Sequence, residues 1–469
     1  MWCNSTEHYT GDRIEEECGV FGGVLENGND AAQMACFALY ALQHRGQESA
    51  GIALSGGDGI WVQKGQGLVS EVFSDLSLLE NKKGRLVSGH VRYSYGPEGS
   101  RPENSQPLYL KYKHGEIAVS HNGNITNNRE LKEELEQQGS IFQTTTDSEL
   151  LAHLVAREGS YELIDSLKNV LPRLKGGFAY VILAQNMVIG IRDPLGIRPL
   201  SLGAINGNNY MVASETCAFD TLGAEFVRDV EPGEMVVITK EGVTSYQFSP
   251  AGSALCVFEF IYFARPDSNL CGKNVHLVRK ELGKVLAQDS PVEADFVTGV
   301  PDSSISAATG FAEASDLPYE MGLIKNRYIG RTFIQPSPET RKLGVGLKLN
   351  PVTKIVDNQR VVIIDDSIVR GTTSVRLIRM LRNAGAKEVH MRISSPPVIS
   401  PCYYGINTPT RKELIGNQMG KDEICRYIGA DSLGYLSVES MLNAIGIRGE
   451  NMCLACFNGR YPCGSVVEE

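Results

Sequence analysis

Residues 361–374 contain the residue types that a phosphate-binding site needs. Four β-branched residues at 361–364 predict a short buried strand, and Asp365 and Asp366 stand where that strand ends. Ser, Gly and Thr are frequent at 367–374, and apolar residues at helical spacing follow. Hydroxyls, backbone N–H groups and a helix N-terminus bind anions, whereas paired carboxylates suit ribose hydroxyls or Mg²⁺. The alternative, a strand followed by a capped helix, leaves the adjacent carboxylates unexplained.

Cys18 opens an apolar, strand-like segment and is the candidate nucleophile of the first half. Its thiolate needs a base, which its own α-amino group would supply if the mature chain began there. Asn122 and the Gly123 N–H could hold a tetrahedral oxyanion. Arg92 could bind an α-carboxylate and Asp147 an α-ammonium. These residues indicate thiol chemistry on a carboxamide, although a lone cysteine is more often a small buried hydrophobic residue.

The polar clusters around these residues each adjoin an apolar strand or helix pattern, so we expect them on loops. His44 and His121 lie in two of the clusters. Both are interpreted as structural histidines, and neither is given a catalytic role.

Two further segments precede the acidic pair. The turn at 298–304 contains Ser303 and suits diphosphate and a metal ion. The segment 325–333 carries three cations among aromatic residues, and its Lys325 and Arg331 could close over a polyphosphate and exclude water. A solvated basic surface is the commoner fate of such a segment. The absence of a G-x-x-x-x-G-K-[ST] pattern argues against a P-loop nucleotidase.

The elements that must position these residues follow two patterns. Residues 176–240 alternate short apolar strands with Gly, Pro and Asn turns, which predicts the second sheet of a two-sheet sandwich. From residue 258 onward, strands alternate with helices, which predicts a parallel sheet with ligands at the carboxyl ends of its strands. We therefore expect one domain at 18–250 and a second at 251–469.

Composition narrows the class of protein. The 469 residues suffice for two or three domains, and the net charge of −10 argues against non-specific binding to nucleic acid or an anionic membrane. No apolar run approaches the roughly 18 residues of a membrane helix. Residues 1–17 lack the features of a signal or transit peptide, so we expect a cytoplasmic protein. The eleven cysteines then indicate free thiols, a catalytic thiol or metal ligands rather than disulfides.

Four segments resemble the glutaminase domain of class II, N-terminal-nucleophile amidotransferases: CGVFG at 18–22, LQHRGQESAGI at 42–52, HVRYS at 90–94 and HNGNIT at 121–126. The resemblance implies a four-layer αββα fold and removal of residues 1–17 as a propeptide. The resemblance also implies that Cys18 is the nucleophile and that Asn122 and Gly123 form the oxyanion hole. Arg92 and Asp147 would then bind the backbone groups of glutamine.

The segment IIDDSIVRGTTS at 363–374 resembles the 5-phosphoribosyl-1-diphosphate (PRPP) motif of type I phosphoribosyltransferases, an α/β fold with a parallel sheet. Both motif sets in this order resemble the glutamine phosphoribosylpyrophosphate amidotransferases. That resemblance implies a reaction in which PRPP, glutamine and water give 5-phosphoribosylamine, glutamate and diphosphate, the first step of de novo purine synthesis. It also implies feedback inhibition by purine nucleotides and a homotetramer.

The resemblance implies a set of PRPP ligands in the second half. Mg²⁺ would be bound by Ser303, Asp365 and Asp366, and the two aspartates would also engage the ribose hydroxyls. The remaining PRPP ligands would be Ser367, Arg370, Gly371, Thr372, Thr373, Ser374, Lys325 and Arg331. Gly346 and Val375 stand where the family commonly has Arg, which affects how nucleotide inhibitors are held.

Four cysteines of the second half form a candidate metal site. Cys453 and Cys456 make a C-x-x-C pattern, and the contexts of Cys256 and Cys402 resemble cluster ligands in one branch of the family. Four thiolates can hold a [4Fe–4S] cluster or a tetrahedral Zn²⁺, and spacing alone does not decide between them. Cys463 is a competing ligand. The resemblance favours the cluster.

Two rival functions share part of this pattern. A PRPP-sensing regulator could use the ribose-phosphate fold without catalysis, but the glutaminase half would then have no purpose. Another amidotransferase, such as a glucosamine-phosphate or asparagine synthase, would share Cys18 and its neighbours but not the motif at 363–374. PRPP-dependent glutaminase activity with diphosphate release distinguishes them.

Overall fold

The structure, a computed structural model, describes residues 18–25, 30–56, 59–80, 82–93, 101–326, 349–408 and 410–464. Three expectations lie outside these ranges: the propeptide at 1–17, the role of Arg331 and the departure at Gly346. None of the described helices is long and apolar enough to cross a membrane.

The first unit is built on short strands, as its sequence pattern predicts. In chain order its described strands are β1 Gly19–Val24, β2 Ser49–Ser55, β3 Ile60–Gln66, β4 Leu86–Arg92, β5 Leu108–Tyr112, β6 Gly115–Ile125, β7 Gly176–Ala184, β8 Val188–Arg192, β9 Ser201–Ile205, β10 Asn209–Ala213, β11 Glu225–Asp229, β12 Glu234–Thr239 and β13 Gly242–Gln247. They form two antiparallel sheets, ordered β11-β9-β10-β1-β4-β2-β3 and β13-β12-β8-β7-β6-β5 among the described residues.

The two sheets stack face to face, and helices cover their outer faces. Val20 and Val181 belong to the apolar core between the sheets. Phe21 packs with helices outside the first sheet, and Phe178 with helices outside the second, because successive side chains of a strand point to opposite faces. The described helices of this unit are Ala31–Ala41, Val69–Val72, Ser77–Glu80, Asn128–Gln137, Ser148–Glu158, Leu163–Val170 and Cys217–Leu222. The arrangement confirms the predicted four-layer αββα fold.

The second unit continues the chain with ten described strands: β14 Leu255–Cys256, β15 Asn269–Leu270, β16 Lys273–Asn274, β17 Phe296–Gly299, β18 Leu323–Lys325, β19 Leu349–Pro351, β20 Arg360–Asp365, β21 Glu388–Ile393, β22 Ser432–Tyr435 and β23 Met452–Cys453. Four of them form a parallel sheet in the order β17-β20-β21-β22. The described helices are Glu259–Phe263 (π-helical), Val275–Asp289, Ile305–Ser315, Thr353–Val356, Thr372–Asn383, Ile415–Gln418, Lys421–Ile428, Val438–Ile445 and Ala455–Asn458.

Helices cover both faces of this parallel sheet. Val362 and Ile364 pack in the core that includes helices Val275–Asp289 and Ile305–Ser315. Val361 and Ile363 pack on the other face, against helix Thr372–Asn383 among others. A strand buried on both faces explains the uninterrupted apolar run at 361–364. The predicted parallel α/β fold is thereby confirmed.

One expectation about the first unit is wrong. Arg92 is the last residue of β4, and Asn122 and Gly123 lie inside β6 rather than on loops. β6 is eleven residues long and remains paired with β7 up to Ile125 opposite Gly176. Asn122 and Gly123 lie in a strand rather than a loop because β6 continues beyond its apolar residues.

The two units are in direct contact. The Asn124 side chain of β6 donates a hydrogen bond to the backbone oxygen of Tyr403 over 2.9 Å. The predicted boundary at residue 250 falls between the end of β13 and the start of β14. β14 pairs in parallel with β23, so the C-terminal part of the chain returns to the junction.

Candidate functional site

The Cys18 thiol lies at the edge of β1 and contacts the backbone oxygen of Tyr93 over 3.6 Å. Burial raises the pKa of the Cys18 thiol to about 12, Arg92 opposes this rise, and Asp147 and Glu48 add to it. The pairing of Gly19 with Val91 and the contact of the thiol with Tyr93 bring the end of β4, with Arg92, next to Cys18. Asp147, far away in sequence, is close enough to raise the pKa of the thiol.

Asn122 and Gly123 have the features that an oxyanion hole requires. Asn122 is fully buried, and neither its Oδ1 nor its Nδ2 has a hydrogen-bond partner among the described residues. Gly123 has φ +127°, and a Cβ there would lie 2.1 Å from the Gly177 oxygen, so only glycine fits. A buried amide without a partner is destabilising unless a ligand or water satisfies it.

Asp147 immediately precedes helix Ser148–Glu158. Its Oδ2 accepts a hydrogen bond from the Ile125 backbone N–H over 2.8 Å, and its Oδ1 lies 3.4 Å from His121 Nδ1. Burial by itself would raise the pKa of Asp147, but His121 and the Ile125 N–H bring it below its ordinary value. The carboxylate is therefore ionised, as a partner for an ammonium group must be.

A buried ion-pair network behind Cys18 was missed at the sequence level. Arg45 is 1% exposed, and its Nε donates to the Cys18 backbone oxygen over 3.3 Å. Its NH1 lies 2.6 Å from Glu215 Oε1 and its NH2 2.8 Å from Glu259 Oε1. His44 Nε2 also lies 2.7 Å from Glu215 Oε1. The sequence signal for this network was Glu259, which stands within an apolar segment. A carboxylate buried in such a segment needs a charged partner, which indicates a buried ion pair.

The acidic pair lies at the carboxyl end of the central strands, as predicted. Asp365 ends β20, and its Oδ1 accepts from Ser304 Oγ over 3.1 Å and from the Asp366 backbone N–H over 3.0 Å. Asp366 Oδ1 accepts from Ser367 Oγ over 2.8 Å. Asp366 Oδ2 is buried and has no hydrogen-bond partner among the described residues. That oxygen is open to a hydroxyl group or a cation.

The turn after the acidic pair leads directly into helix Thr372–Asn383. Gly371 caps this helix with φ +84°, and a Cβ there would lie 2.9 Å from Ile415 Cδ1. Arg370 NH2 lies 3.0 Å from Glu413 Oε1. Of the three hydroxyl residues that follow Gly371, Thr372 is exposed, Thr373 is half-buried and Ser374 is buried.

The turn that contains Ser303 lies beside the acidic pair. Ser303 Oγ is 3.4 Å from Ser304 Oγ, and Ser304 in turn contacts Asp365. Lys325 Nζ lies 2.8 Å from Asp302 Oδ2, so Lys325 reaches the same turn. The fold thus brings Ser303, Lys325 and the acidic pair to one end of the sheet.

The four predicted cluster ligands are neighbours. The parallel pairing of β14 with β23 places Cys256 opposite Cys453. Burial raises the pKa of Cys456 well above its ordinary value, and Cys453, Cys256 and Cys402 raise it further. Across the described ranges, however, no three or more His, Cys, Asp or Glu side chains are arranged to hold a metal ion. The four thiols therefore share one region without a coordinating geometry.

Cys463, the competing ligand, lies in the same region. Burial raises its pKa, and its thiol donates to the Gly176 backbone oxygen over 3.6 Å. Cys402 raises the pKa of Cys256, Cys453 and Cys456, and Cys463 raises that of Cys453.

Comparison with known proteins identifies both halves. A family described as a glutamine amidotransferase domain matches residues 90–221, and one described as a phosphoribosyl transferase domain matches residues 275–394. The amidophosphoribosyltransferase of Bacillus subtilis is 53% identical over 455 residues, which cover 96% of this chain and 94% of that protein. The amidophosphoribosyltransferase of Methanocaldococcus jannaschii is 47% identical over 463 residues, with coverage of 95% and 97%.

Solved structures agree with this result. A structure described as the allosteric regulatory enzyme of purine biosynthesis matches with a TM-score of 0.91 and 53% identity, over 96% of this chain and 97% of that one. The glutamine PRPP amidotransferase of B. subtilis, described as complexed with ADP and GMP, matches with a TM-score of 0.89 and 53% identity. It covers 95% of this chain and 97% of its own. The chain therefore belongs to the amidophosphoribosyltransferase family of purine biosynthesis.

Proposed function

We propose that this chain makes 5-phosphoribosylamine, with glutamate and diphosphate, from PRPP, glutamine and water, using the two sites described above. The observation that carries the proposal is that Arg92 and Asp147 both influence the Cys18 thiol, and that Asn122 keeps an unpartnered buried amide among the described residues. The neighbour of Asn122, His121, is hydrogen-bonded to His90 of β4, and His90 pairs with Val20 of β1. A binding protein without catalysis would not need a thiol, an arginine, a carboxylate and an open amide at these adjoining strands.

At the glutaminase site, Arg92 binds the α-carboxylate of glutamine and Asp147 binds its α-ammonium group. The Cys18 sulfur attacks the side-chain carboxamide, and Asn122 with the Gly123 N–H stabilises the resulting oxyanion. The Cys18 α-amino group takes the thiol proton and passes it to the departing nitrogen, so that the carbon–nitrogen bond breaks and ammonia leaves. Water then hydrolyses the thioester and releases glutamate.

Removal of residues 1–17 before Cys18 is part of this proposal, because the α-amino group that accepts the thiol proton exists only after cleavage. Its support is the position of Cys18 directly before β1, where cleavage would leave a free α-amino group on the same residue as the thiol. The intact mass of the purified protein tests the cleavage. A mass of the uncleaved chain in a fully active preparation would contradict it.

At the phosphoribosyl site, residues 367–374 hold the 5-phosphate, and Asp365 and Asp366 hold the ribose hydroxyls. Mg²⁺ would be held by the two aspartates and Ser303, and when bound it would neutralise charge on diphosphate. The support is the buried, unpartnered Oδ2 of Asp366 among the described residues. Lys325, together with Arg331 outside the described ranges, would cover the diphosphate while ammonia attacks C1.

We extend the proposal to a [4Fe–4S] cluster held by Cys256, Cys402, Cys453 and Cys456. The support is that Cys256, Cys453 and Cys456 are buried, that Cys256 lies opposite Cys453, and that Cys402 is close enough to raise the pKa of all three. The cluster would supply a crosslink between the domain junction and the C-terminal segment. Iron, acid-labile sulfide and zinc are measured in the purified protein. A colourless protein with stoichiometric zinc would contradict the cluster.

Purine nucleotides are proposed as feedback inhibitors, because the related B. subtilis structure is described as complexed with ADP and GMP. A cytoplasmic homotetramer is proposed from the resemblance, and sedimentation measures its mass. The central experiment measures glutamate and diphosphate released by the purified enzyme with glutamine, PRPP and Mg²⁺. Equal amounts of the two products are expected. Binding of PRPP without either product would instead support a PRPP-sensing regulator.

A further inference from the structure

His121 lies in β6 directly before Asn122 and is almost fully buried. Its ring stacks on that of Tyr180, with 4.2 Å between the centroids and 10° between the planes. Its backbone N–H donates to Gln106 Oε1 over 2.7 Å, and its backbone oxygen accepts from His90 Nε2 over 2.9 Å. Backbone and ring plane are therefore both held, which sets the direction of the ring nitrogens.

The Nδ1 atom of His121 faces the start of helix Ser148–Glu158. It lies 3.1 Å from Ser148 Oγ and 3.4 Å from Asp147 Oδ1. We assign the ring proton of His121 to Nδ1, because the Asp147 carboxylate beside it only accepts hydrogen bonds, whereas the Ser148 hydroxyl can accept or donate. Nε2 has no hydrogen-bond partner in the described part of the chain. The ring thus acts on its surroundings through Nδ1.

We infer that His121 is a positioning residue, which aims the Asp147 carboxylate at the α-ammonium group of glutamine. The inference rests on the proposed role of Asp147 as a glutamine ligand. The Ile125 backbone N–H donates to Asp147 Oδ2, and His121 Nδ1 lies 3.4 Å from Oδ1, so residues of β6 contact both oxygens. Because Asn122 is on the same strand, β6 would fix the position of the ammonium ligand, Asp147, relative to that of the oxyanion donor, Asn122. The sequence-based interpretation of His121 as purely structural is therefore incomplete.

Three variants separate positioning from packing. H121F keeps a flat ring against Tyr180 but removes the Nδ1 donor. H121N places an amide near the position of Nδ1, whereas H121Q places one near the position of Nε2. All three are assayed with glutamine and with ammonia, because ammonia-dependent synthesis needs the fold but not glutamine binding.

H121F and H121Q are expected to raise the KM for glutamine about tenfold, with kcat and the ammonia-dependent rate within about twofold of the wild type. H121N is expected to restore the KM to within about threefold of the wild type. Should H121F fail to fold, the contrast between H121Q and H121N carries the same test. An unchanged KM in H121Q, or an equal rise in H121N and H121Q, would overturn the inference.

Glutaramate, which is glutamine without the α-amino group, provides a second readout. Its kcat/KM is expected to be the same in the wild type and in H121Q, because it has no ammonium group for Asp147 to bind. A loss as large as that with glutamine would show that His121 acts on the whole site and would overturn the inference.

The D147N variant distinguishes this inference from the proposal on which it rests, the binding of the glutamine α-ammonium group by Asp147. If D147N leaves the KM for glutamine unchanged, the proposed role of Asp147 fails, and the inference fails with it. If D147N raises the KM but H121Q does not, only the inference fails. The H121Q/D147N double variant is expected to have the KM of D147N alone, since the two residues act through one contact.

Discussion

The proposed phosphoribosyl site takes its central residues from one continuous stretch of chain, whereas the proposed glutaminase site takes its residues from four separate elements. Asp365 to Ser374 run through a strand end, a turn and a helix N-terminus. By contrast, Cys18 directly precedes β1, Arg92 ends β4, Asn122 lies within β6, and Asp147 directly precedes a helix. The first arrangement follows from local backbone geometry, and the second exists only once the two sheets have paired and stacked.

This difference has a consequence for how each site responds to change. In a contiguous site, the ligands are positioned by adjacent backbone. Such a site therefore loses function mainly when its own side chains are changed. A dispersed site also depends on residues that never touch substrate. Arg45 is such a residue, since it joins the Cys18 backbone to Glu259 of the second unit.

The largest effect is expected at the contiguous site. D365N combined with D366N should abolish both glutamine-dependent and ammonia-dependent synthesis, by about 10³-fold or more, because both routes use PRPP. Product formation is measured with each nitrogen source. Retained synthesis from ammonia would contradict the assignment of the aspartates to PRPP.

The next effect separates the two sites. C18A should lose glutamine-dependent synthesis by about 10³-fold or more, while the ammonia-dependent rate stays within about twofold. The matched control is C271A, because Cys271 is an exposed cysteine outside both sites. Loss of both activities in C18A would show that the sites are not separable.

A smaller loss is expected at the oxyanion hole. N122A should lower kcat with glutamine by about 10²-fold to 10³-fold and leave the ammonia-dependent rate unchanged. Its KM for glutamine should move little, since Asn122 acts only as charge develops on oxygen. Steady-state kinetics with both nitrogen sources check this. A rise in KM without a fall in kcat would reassign Asn122 to substrate binding.

The buried ion pair tests the dependence of the dispersed site on the second unit. E259Q removes one charged partner of Arg45 and should lower the free energy of unfolding by about 3 kcal/mol. It should also reduce glutamine-dependent synthesis more than the ammonia-dependent route, because Arg45 holds the Cys18 backbone. E293Q is the control, since the Glu293 side chain is 98% exposed. Equal losses in both routes would confine the network to a stability role.

The smallest effect concerns the segment before Asp147. Glu149 accepts hydrogen bonds from the backbone N–H groups of Gln143 and Thr144. Burial by itself raises the pKa of Glu149, but hydrogen bonds from His153, Gln143 and Thr144 lower it from 4.5 to about 2. E149Q should therefore cost at most about 3 kcal/mol of unfolding free energy.

The pH dependence follows from the sign of that shift. A lowered folded-state pKa means that the stabilisation is fully present above the ordinary pKa of 4.5 and is lost as pH falls toward 2. Urea unfolding of the wild type and E149Q, with E136Q as an exposed control, measures the difference at each pH. A difference that grows on acidification would contradict this account.

Both folds, and the strand, turn and helix that would form the proposed phosphoribosyl site, were largely predictable from the sequence. The predicted strand at 361–364 is observed as Arg360–Asp365, and the helical spacing that follows residue 374 belongs to helix Thr372–Asn383. This helix begins directly after Gly371, whose φ of +84° is a conformation that favours glycine. These features depend on residues adjacent in sequence, so local pattern was sufficient.

The sequence by itself determined which residue types could do the chemistry and which strands would be buried, because composition and periodicity are local properties. Only the tertiary structure decided that Asn122 and Gly123 lie within a strand, that His121 contacts Asp147, and that Glu259 reaches Arg45. It also paired Cys256 with Cys453, two residues that lie near opposite ends of the second unit's sequence. Such contacts join residues far apart in the chain, and their geometry arises from sheet register and packing, which no short stretch of sequence contains.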